Sequence, residues 1–437
     1  MNTVRFKQLF TQGLGALTLA MCLSSCGGTD EQNVDVLFEK VTSDVTGIDF
    51  VNSVPENDSL NQFTYHYLYN GSGVAIGDIN NDGKNDLYFS GNEKSSRLYL
   101  NKGDFKFEDV TKQSGTTTNQ WISGVTMVDV NNDGWLDIYV SNDFHEDDYY
   151  YINQKDGTYK EGIKEHFKHL SRFSMGSDIA DINNDGYQDV MTLDMYPEDE
   201  KVEKSSVGED PLDIYMYKLQ FGYFNQYSRN CLQLNMSGQK FADIAASSGV
   251  AATDWSWSTL MADYDGDGLK DIFISNGILR RPNDLDYLKF VIGDSLHYGL
   301  PTSHKLDQEA IDLMPSGKVH NYLFQGSKDL RFKDKSKVWG FEEEGISNGS
   351  SYADLDNDGD LDLISNNLNE PSGIYENHSR ELLKNNFVKV KFKGEGMNTF
   401  GIGAKVILKT KDGQQLQQMM PTRGFMSSVE PMLLFGI

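Results

Sequence analysis

At 437 residues the chain has room for several ordinary domains or for one large repeat architecture. Hydrophobic residues at 38% and aromatic residues at 12% supply a packed core and exclude a disordered chain, and a net charge of −26 excludes nucleic acid as a partner because phosphate is repelled. Three cysteines, Cys22, Cys26 and Cys231, two of them within the first 26 residues, exclude a disulfide framework and leave Cys231 as a small core hydrophobe.

The N-terminus reads as a processing signal. Arg5 and Lys7 precede an apolar run from Leu14 to Leu23 that is too short to span a bilayer and has the polarity of a secretory leader. Leu23-Ser24-Ser25-Cys26 resembles a bacterial lipobox, which implies a signal peptide over 1–25, a lipid on Cys26 and a short tether over 26–36. An ordinary signal peptide cut near Ser25 is the alternative, and export follows from either. Nothing further along the sequence approaches transmembrane length, so membrane association is expected only through the lipid on Cys26.

Self-comparison reveals five copies of Asp-x-(Asn/Asp)-x-Asp-Gly-x-x-Asp. They are Asp78, Asn80, Asp82, Asp86; Asp129, Asn131, Asp133, Asp137; Asp181, Asn183, Asp185, Asp189; Asp263, Asp265, Asp267, Asp271; and Asp354, Asp356, Asp358, Asp362. Each copy follows a small-apolar stretch such as Gly73-Val74-Ala75-Ile76-Gly77 and precedes a β-prone run such as Leu87-Tyr88-Phe89-Ser90. An aromatic–Asn pair (Tyr99-Leu100-Asn101) and a Phe-x-Asp turn (Phe107-Glu108-Asp109) complete the unit, which reads as strand, acidic loop, strand, turn, strand, turn. Starts at Asp78, Asp129, Asp181, Asp263 and Asp354 give intervals of 51, 52, 82 and 91 residues, so the last two gaps hold insertions, over 197–229 and 278–320, with helix-compatible spacing.

Side chains at positions 1, 3 and 5 of a tight loop converge on one point. Glycine at position 6 takes the positive φ of the sharp turn, the carbonyl at position 7 turns inward, and Asp at position 9 closes an all-oxygen shell. Acids packed this closely repel one another without a cation, whereas a single such loop reads as a solvated Asx-turn. Five copies in matching context point to Ca²⁺ at about five sites, favoured over Mg²⁺ by ligand number.

These residues resemble the FG-GAP and VCBS repeats, whose fold is the integrin-α-like β-propeller, over residues 37–378. The resemblance implies an all-β propeller of four-stranded blades with calcium loops inside each blade, and seven blades as the usual closure; five are legible, with the rest expected from the insertions, the C-terminal part or sequence beyond residue 437. Residues 387–437, with Phe387-Val388-Lys389-Val390, Asn398-Thr399-Phe400-Gly401 and Arg423-Gly424-Phe425, are similar to the ASPIC/UnbV module, and the sequence ends inside it, implying a longer parent protein. Trp255-Ser256-Trp257 and the acidic tether resemble repeat lipoproteins of Bacteroidota, which implies an outer-membrane lipoprotein, with exposure at the cell surface as one orientation.

Other motifs carry weaker expectations. Gly345-Ile346-Ser347-Asn348-Gly349 matches the nucleophile-elbow pattern but stands at a repeat-equivalent position before an acidic loop rather than between strand and helix. His166 and His169 make an incomplete zinc pair, His66 reads as a strand-packing residue, and the tyrosines at 149–151 and 215–227 are candidates for glycan stacking. No catalytic constellation is legible, so the expectation is a non-enzymatic binding or adhesion module at the cell surface or in the periplasm, for a protein or a glycan. The alternative is a polysaccharide-active enzyme of lyase type, marked by a His, a Tyr and an Arg or Lys converging on one face.

Overall fold

A computed structural model describes residues 36–437 except positions 58, 63, 66, 81, 93, 115–125, 144–146, 157, 299–303, 395, 397 and 412, with side chains placed outside 294–308. The signal peptide, Cys26 and His66 lie outside the described residues.

Each repeat folds as a four-stranded antiparallel blade. The apolar stretch before each acidic loop forms the innermost strand and the β-prone run after it forms the second. Blade I pairs Val74–Gly77, Asp86–Phe89, Arg97–Asn101 and Phe107–Asp109. Blade II pairs Thr126–Val128, Asp137–Val140, Tyr149–Asn153 and Tyr159–Glu161. Blade III uses Ser177–Ala180, Asp189–Thr192, Cys231–Met236 and Lys240–Asp243. Blade IV uses Asp254–Ala262, Asp271–Asn276, Tyr322–Gln325 and Lys333–Asp334.

Blade V draws three strands from its own repeat, Ser347–Ala353, Asp362–Asn367 and Gly373–Asn377, and its fourth from the start of the described chain. Phe38–Lys40 pairs antiparallel with Gly373–Asn377, Phe38 opposite Asn377. This completes the blade and ties the start of the described chain to its last repeat. Phe38 is buried against Tyr264 and Phe341, which welds blade V to blade IV.

The expected seven blades are therefore five among the described residues. The long intervals hold helices instead of further blades: Glu200–Ser205 and Leu212–Gln220 in one, Leu285–Tyr298 and His304–Leu313 in the other. Both excursions leave from the second strands of blades III and IV, on the face opposite the acidic loops, and they meet where Val207 N–H donates to the Asn283 carbonyl at 2.9 Å.

The axis of the ring is filled by the C-terminal part. A hairpin of Thr422–Arg423 with Ser427–Ser428 lies among the innermost strands, with Ser428 paired parallel to Ala75 of blade I. The Gly424 amide donates to Ser177 O of blade III at 3.0 Å, the Phe425 amide to Ser258 Oγ of blade IV at 3.1 Å, and Ser351 Oγ of blade V to Ser428 O at 2.7 Å. Gly73 has to be glycine here, since a Cβ would stand 1.7 Å from the Met426 carbonyl oxygen. Around the hairpin, Phe387–Val390 pairs with Leu433–Gly436, and Lys405–Thr410 with Gly413–Gln418.

Candidate metal centre

The acidic loops join the innermost strand to the second strand of each blade, so all five lie on one face of the ring. Their backbone is nearly the same in every copy. The position-6 glycines Gly83, Gly134, Gly186, Gly268 and Gly359 have φ between 86° and 101°. Position 4 is also left-handed, at Asn132, Asn184, Gly266 and Asn357, a requirement that asparagine or glycine meets with little strain.

In loop one Asp78 Oδ1 accepts from the Asp82 amide at 3.1 Å and Asp78 Oδ2 from the Gly83 amide at 2.8 Å, while Asn80 Oδ1 accepts from the Asp82 amide at 3.0 Å. Loops two, three and four repeat the pattern through Asp129 and Asn131, Asp181 and Asn183, and Asp263 and Asp265. Positions 1, 3 and 5 thus face a common centre. In the two all-aspartate loops the carboxylates of Asp263, Asp265 and Asp267, and of Asp354, Asp356 and Asp358, offer oxygens all within 4.8 Å of one another.

The position-9 aspartates stand apart from those triads. Asp86, Asp137, Asp189, Asp271 and Asp362 are almost wholly buried. In each, one oxygen accepts from the position-2 amide and the other from an amide at the end of the third strand or just beyond it. For Asp189 these are Ile182 N–H at 2.9 Å and Asn235 N–H at 2.8 Å, and for Asp271 Tyr264 N–H at 2.9 Å and Gly326 N–H at 2.8 Å. The group expected to close the shell also braces the loop to the blade. A buried carboxylate needs such donors to offset its desolvation.

Asparagines supply a second tier that the sequence pattern marked only as an aromatic–Asn pair. Asn101 Nδ2 reaches Leu355 O in loop five, Asn235 Nδ2 reaches Val130 O in loop two, and Asn377 Nδ2 reaches Tyr264 O in loop four. Asn132 Nδ2 donates to Gly186 O at 2.7 Å and Asn184 Nδ2 to Gly268 O at 2.9 Å, linking loops two, three and four in series.

Electrostatics favour a cation at this face. Burial, with neighbouring acids adding to it, pushes Asp181 up to about 6 and Asp263 up to about 7. Burial lifts Asp189 to about 8 and holds Asp271 and Asp362 well above the usual carboxylate range. Asp354 Oδ1 and Asp360 Oδ1 are buried without a hydrogen-bond partner, so a hard cation would satisfy an acceptor that the protein leaves open. The donors are all oxygen, the set that suits Ca²⁺ or Mg²⁺ over softer ions. The acidic clusters thus fit a bound divalent ion.

The remaining motifs fall elsewhere. Ser347 lies in the innermost strand of blade V, its Oγ bonded to Asn321 Nδ2 and Asn367 Oδ1. His166 and His169 do not share a centre: His166 Nδ1 contacts Gln239 O at 2.8 Å, whereas His169 Nε2 contacts Asp243 Oδ2 at 2.9 Å. His169, Cys231 and Asp243 come together, a grouping that sequence spacing did not suggest, with the Arg229 guanidinium on the same Asp243 oxygen at 3.0 Å. Burial holds the Cys231 thiol well above its usual range. Tyr149 and Tyr151 stack on each other, while Tyr150 is buried.

The blades form a propeller-like fold, and two of the repeats and the C-terminal part match known families. Residues 78–140 and 129–192 match the FG-GAP-like repeat, and residues 394–437 match the ASPIC and UnbV family. The chain is similar to cartilage acidic protein 1 of Xenopus tropicalis, 23% identical over 396 residues that cover 90% of this chain and 42% of that protein. It is likewise 23% identical over 392 residues to cartilage acidic protein 1 of Homo sapiens, covering 85% and 49% of the two chains. The chain spans less than half the length of these curated relatives. No described helix is long and apolar enough to cross a membrane.

Proposed function

We propose that this protein is a calcium-stiffened propeller that acts outside the cytoplasm as a binding or adhesion module for a protein or glycan, and that it is not itself an enzyme. The observation that carries the calcium reading is the buried, unpartnered Asp354 Oδ1 inside one of two carboxylate triads, in a loop motif that recurs in five blades. The similarity to cartilage acidic protein 1 and the FG-GAP-like repeats support the module reading. Asp78, Asp129, Asp181, Asp263 and Asp354, with the position-3 and position-5 side chains, would hold the ions. The ion would supply positive charge that relieves repulsion among the loop acids and locks each loop to its blade. Export and a lipid on Cys26 complete the proposal, and incorporation of labelled fatty acid that Cys26→Ala abolishes would support the anchor.

Thermal unfolding in excess EGTA, in millimolar CaCl₂ and in millimolar MgCl₂ tests the metal. A ligand of the folded state alone raises its stability, and sites of the extracellular kind need dissociation constants only on the order of 10⁻⁴–10⁻³ M. A clear rise with Ca²⁺ alone is expected; identical curves in all three buffers refute the calcium reading.

One observation favours the second reading. His169, Tyr227 and Arg229 converge beside blade III: the His169 and Tyr227 rings lie 5.3 Å apart, and Arg229 sits over the Tyr227 ring at 5.9 Å. Against a base role, His169 Nε2 is already engaged by Asp243 and Arg229. Appearance of unsaturated uronate from uronic-acid polymers, lost in Tyr227→Phe, would establish the lyase reading over the binding one.

A further inference from the structure

The five loops share a backbone but not their surroundings. In loop two, Lys405 Nζ stands 2.7 Å from Asp129 Oδ2 and also reaches Asn132 Oδ1, and Lys155 Nζ stands 3.3 Å from Asp133 Oδ2. In loop five, Lys389 Nζ pairs with Oδ2 of the fully buried Asp354, whose other oxygen has no partner. The Asp354 amide donates to Glu430, which pairs with Lys391. Among the described residues, no lysine or arginine forms an ion pair with Asp78, Asp82, Asp181 or Asp185 of loops one and three. There, among the described residues, the position-1 oxygens accept from the loop's own amides. Loop four stands between the two cases: Asp263 Oδ2 accepts from the Gly436 amide at 3.1 Å, and the buried Lys270 ammonium acts on Asp263 and, less strongly, on Asp181 without forming an ion pair with either.

Lys389 and Lys405 both come from the C-terminal part, on strands Phe387–Val390 and Lys405–Thr410. That part is also anchored away from the loops. Arg423 Nη1 pairs with buried Asp178 Oδ1 at 2.7 Å, and Ser428 is paired with Ala75. The two ammonium groups are therefore delivered to the loop face by a body also held elsewhere, on long flexible stems that can withdraw without moving their strands.

We propose that the loops form two classes of cation site, and that Lys389 and Lys405 set the ranking by occupying, in the cation-free chain, the carboxylates of loops five and two that a divalent ion takes. The inference rests on the calcium reading above. An ammonium and a divalent ion on one carboxylate repel each other, and in a partly buried setting that repulsion weakens binding by about tenfold or more. Loops one and three fill first. Loops two and five fill only as their lysines leave.

Calorimetric titration of the full chain with CaCl₂ tests this. The unmodified chain should show a tight and a weak class, and Lys405→Met and Lys389→Met should each move one site from the weak class to the tight one. A purely structural role for the lysines is separated by thermal unfolding. Each variant should be less stable than the unmodified chain in EGTA, because a buried carboxylate loses its counter-charge, and the deficit should close in millimolar CaCl₂. An equal deficit in both buffers overturns the proposal. Should a variant fail to fold, acylation footprinting of the unmodified chain decides: Lys389 and Lys405 should label faster with Ca²⁺ than with EGTA, and equal or slower labelling overturns the inference. A chain that takes up no Ca²⁺ at all refutes the calcium reading itself, whereas uptake with neither lysine responding overturns only this inference.

Discussion

At the scale of single residues, the protein places many ionisable groups where water does not reach and satisfies most of them with short-range donors. Asp148 is the clearest case outside the loops. It is buried beneath blade II and accepts from the Asn142 amide at 2.9 Å, Tyr139 Oη at 2.7 Å and Ser174 Oγ at 3.1 Å. Burial nevertheless outweighs these donors and pushes it up to about 7. A carboxyl whose folded value lies above its unfolded value of 3.8 binds its proton more tightly in the folded state. Its stabilising contribution is therefore full below about 4 and is lost as the pH rises through about 7. Asp148→Asn removes that dependence. The difference in unfolding free energy between pH 5 and pH 8, read from urea midpoints, should shrink in the variant by a few kcal/mol at most, since each tenfold change in proton affinity is worth on the order of 1.4 kcal/mol. An unchanged pH profile would show that Asp148 does not carry it.

The loop residues were legible from the sequence because their geometry is local: a carboxylate at position 1 and a left-handed glycine at position 6 need only their immediate neighbours. The second duty of the position-9 aspartates was not legible. Asp189 takes its amide from Asn235, 46 residues away, across a helical excursion whose length the motif does not encode.

At the scale of elements, the ring depends on one short strand. Phe38–Lys40 contributes three residues to blade V, yet it closes the last sheet and places Phe38 between Tyr264 and Phe341. Phe38→Ala deletes a fully buried aromatic side chain and should cost about 3–5 kcal/mol, measured by chemical denaturation at constant m-value. A loss below about 1 kcal/mol would mean the strand is peripheral to stability. The sequence pattern did not assign this strand to a blade, because the loop that marks a repeat is absent from it. The two helical excursions were legible as departures from the repeat, and their placement on the face away from the acidic loops follows from strand alternation.

At the scale of the whole molecule, five blades and an axial hairpin belong together. The Thr422–Arg423 and Ser427–Ser428 hairpin bonds directly to four innermost strands and presents Arg423 to Asp178, and Arg423 Nη1 also reaches Ile179 O at 3.2 Å. Burial raises Asp178 even against that guanidinium, so the pair depends on both members. Arg423→Met leaves a buried carboxylate without its partner and should cost about 3–5 kcal/mol. The same change should expose the C-terminal part to limited proteolysis while blades I–V keep their far-ultraviolet signature. Simultaneous loss of both signals at one denaturant concentration would show instead that hairpin and ring unfold as a single unit. The proposed calcium would act at this scale too. Five loops on one face concentrate negative charge there, and the gain in melting temperature with CaCl₂ should exceed that with NaCl of equal ionic strength, since screening alone does not satisfy Asp354 Oδ1.

The amino-acid order alone determined the repeating blade and the chemistry of its loops, because strand alternation, tight turns and converging carboxylates are settled within about ten residues of one another. Only the tertiary structure decided how many blades close the ring, what fills its axis and which loops receive a lysine. Those outcomes depend on pairings such as Phe38 with Asn377 and Lys405 with Asp129, the latter 276 residues apart. Contacts of that range are selected by the packing of the whole chain and leave no periodic mark on either segment.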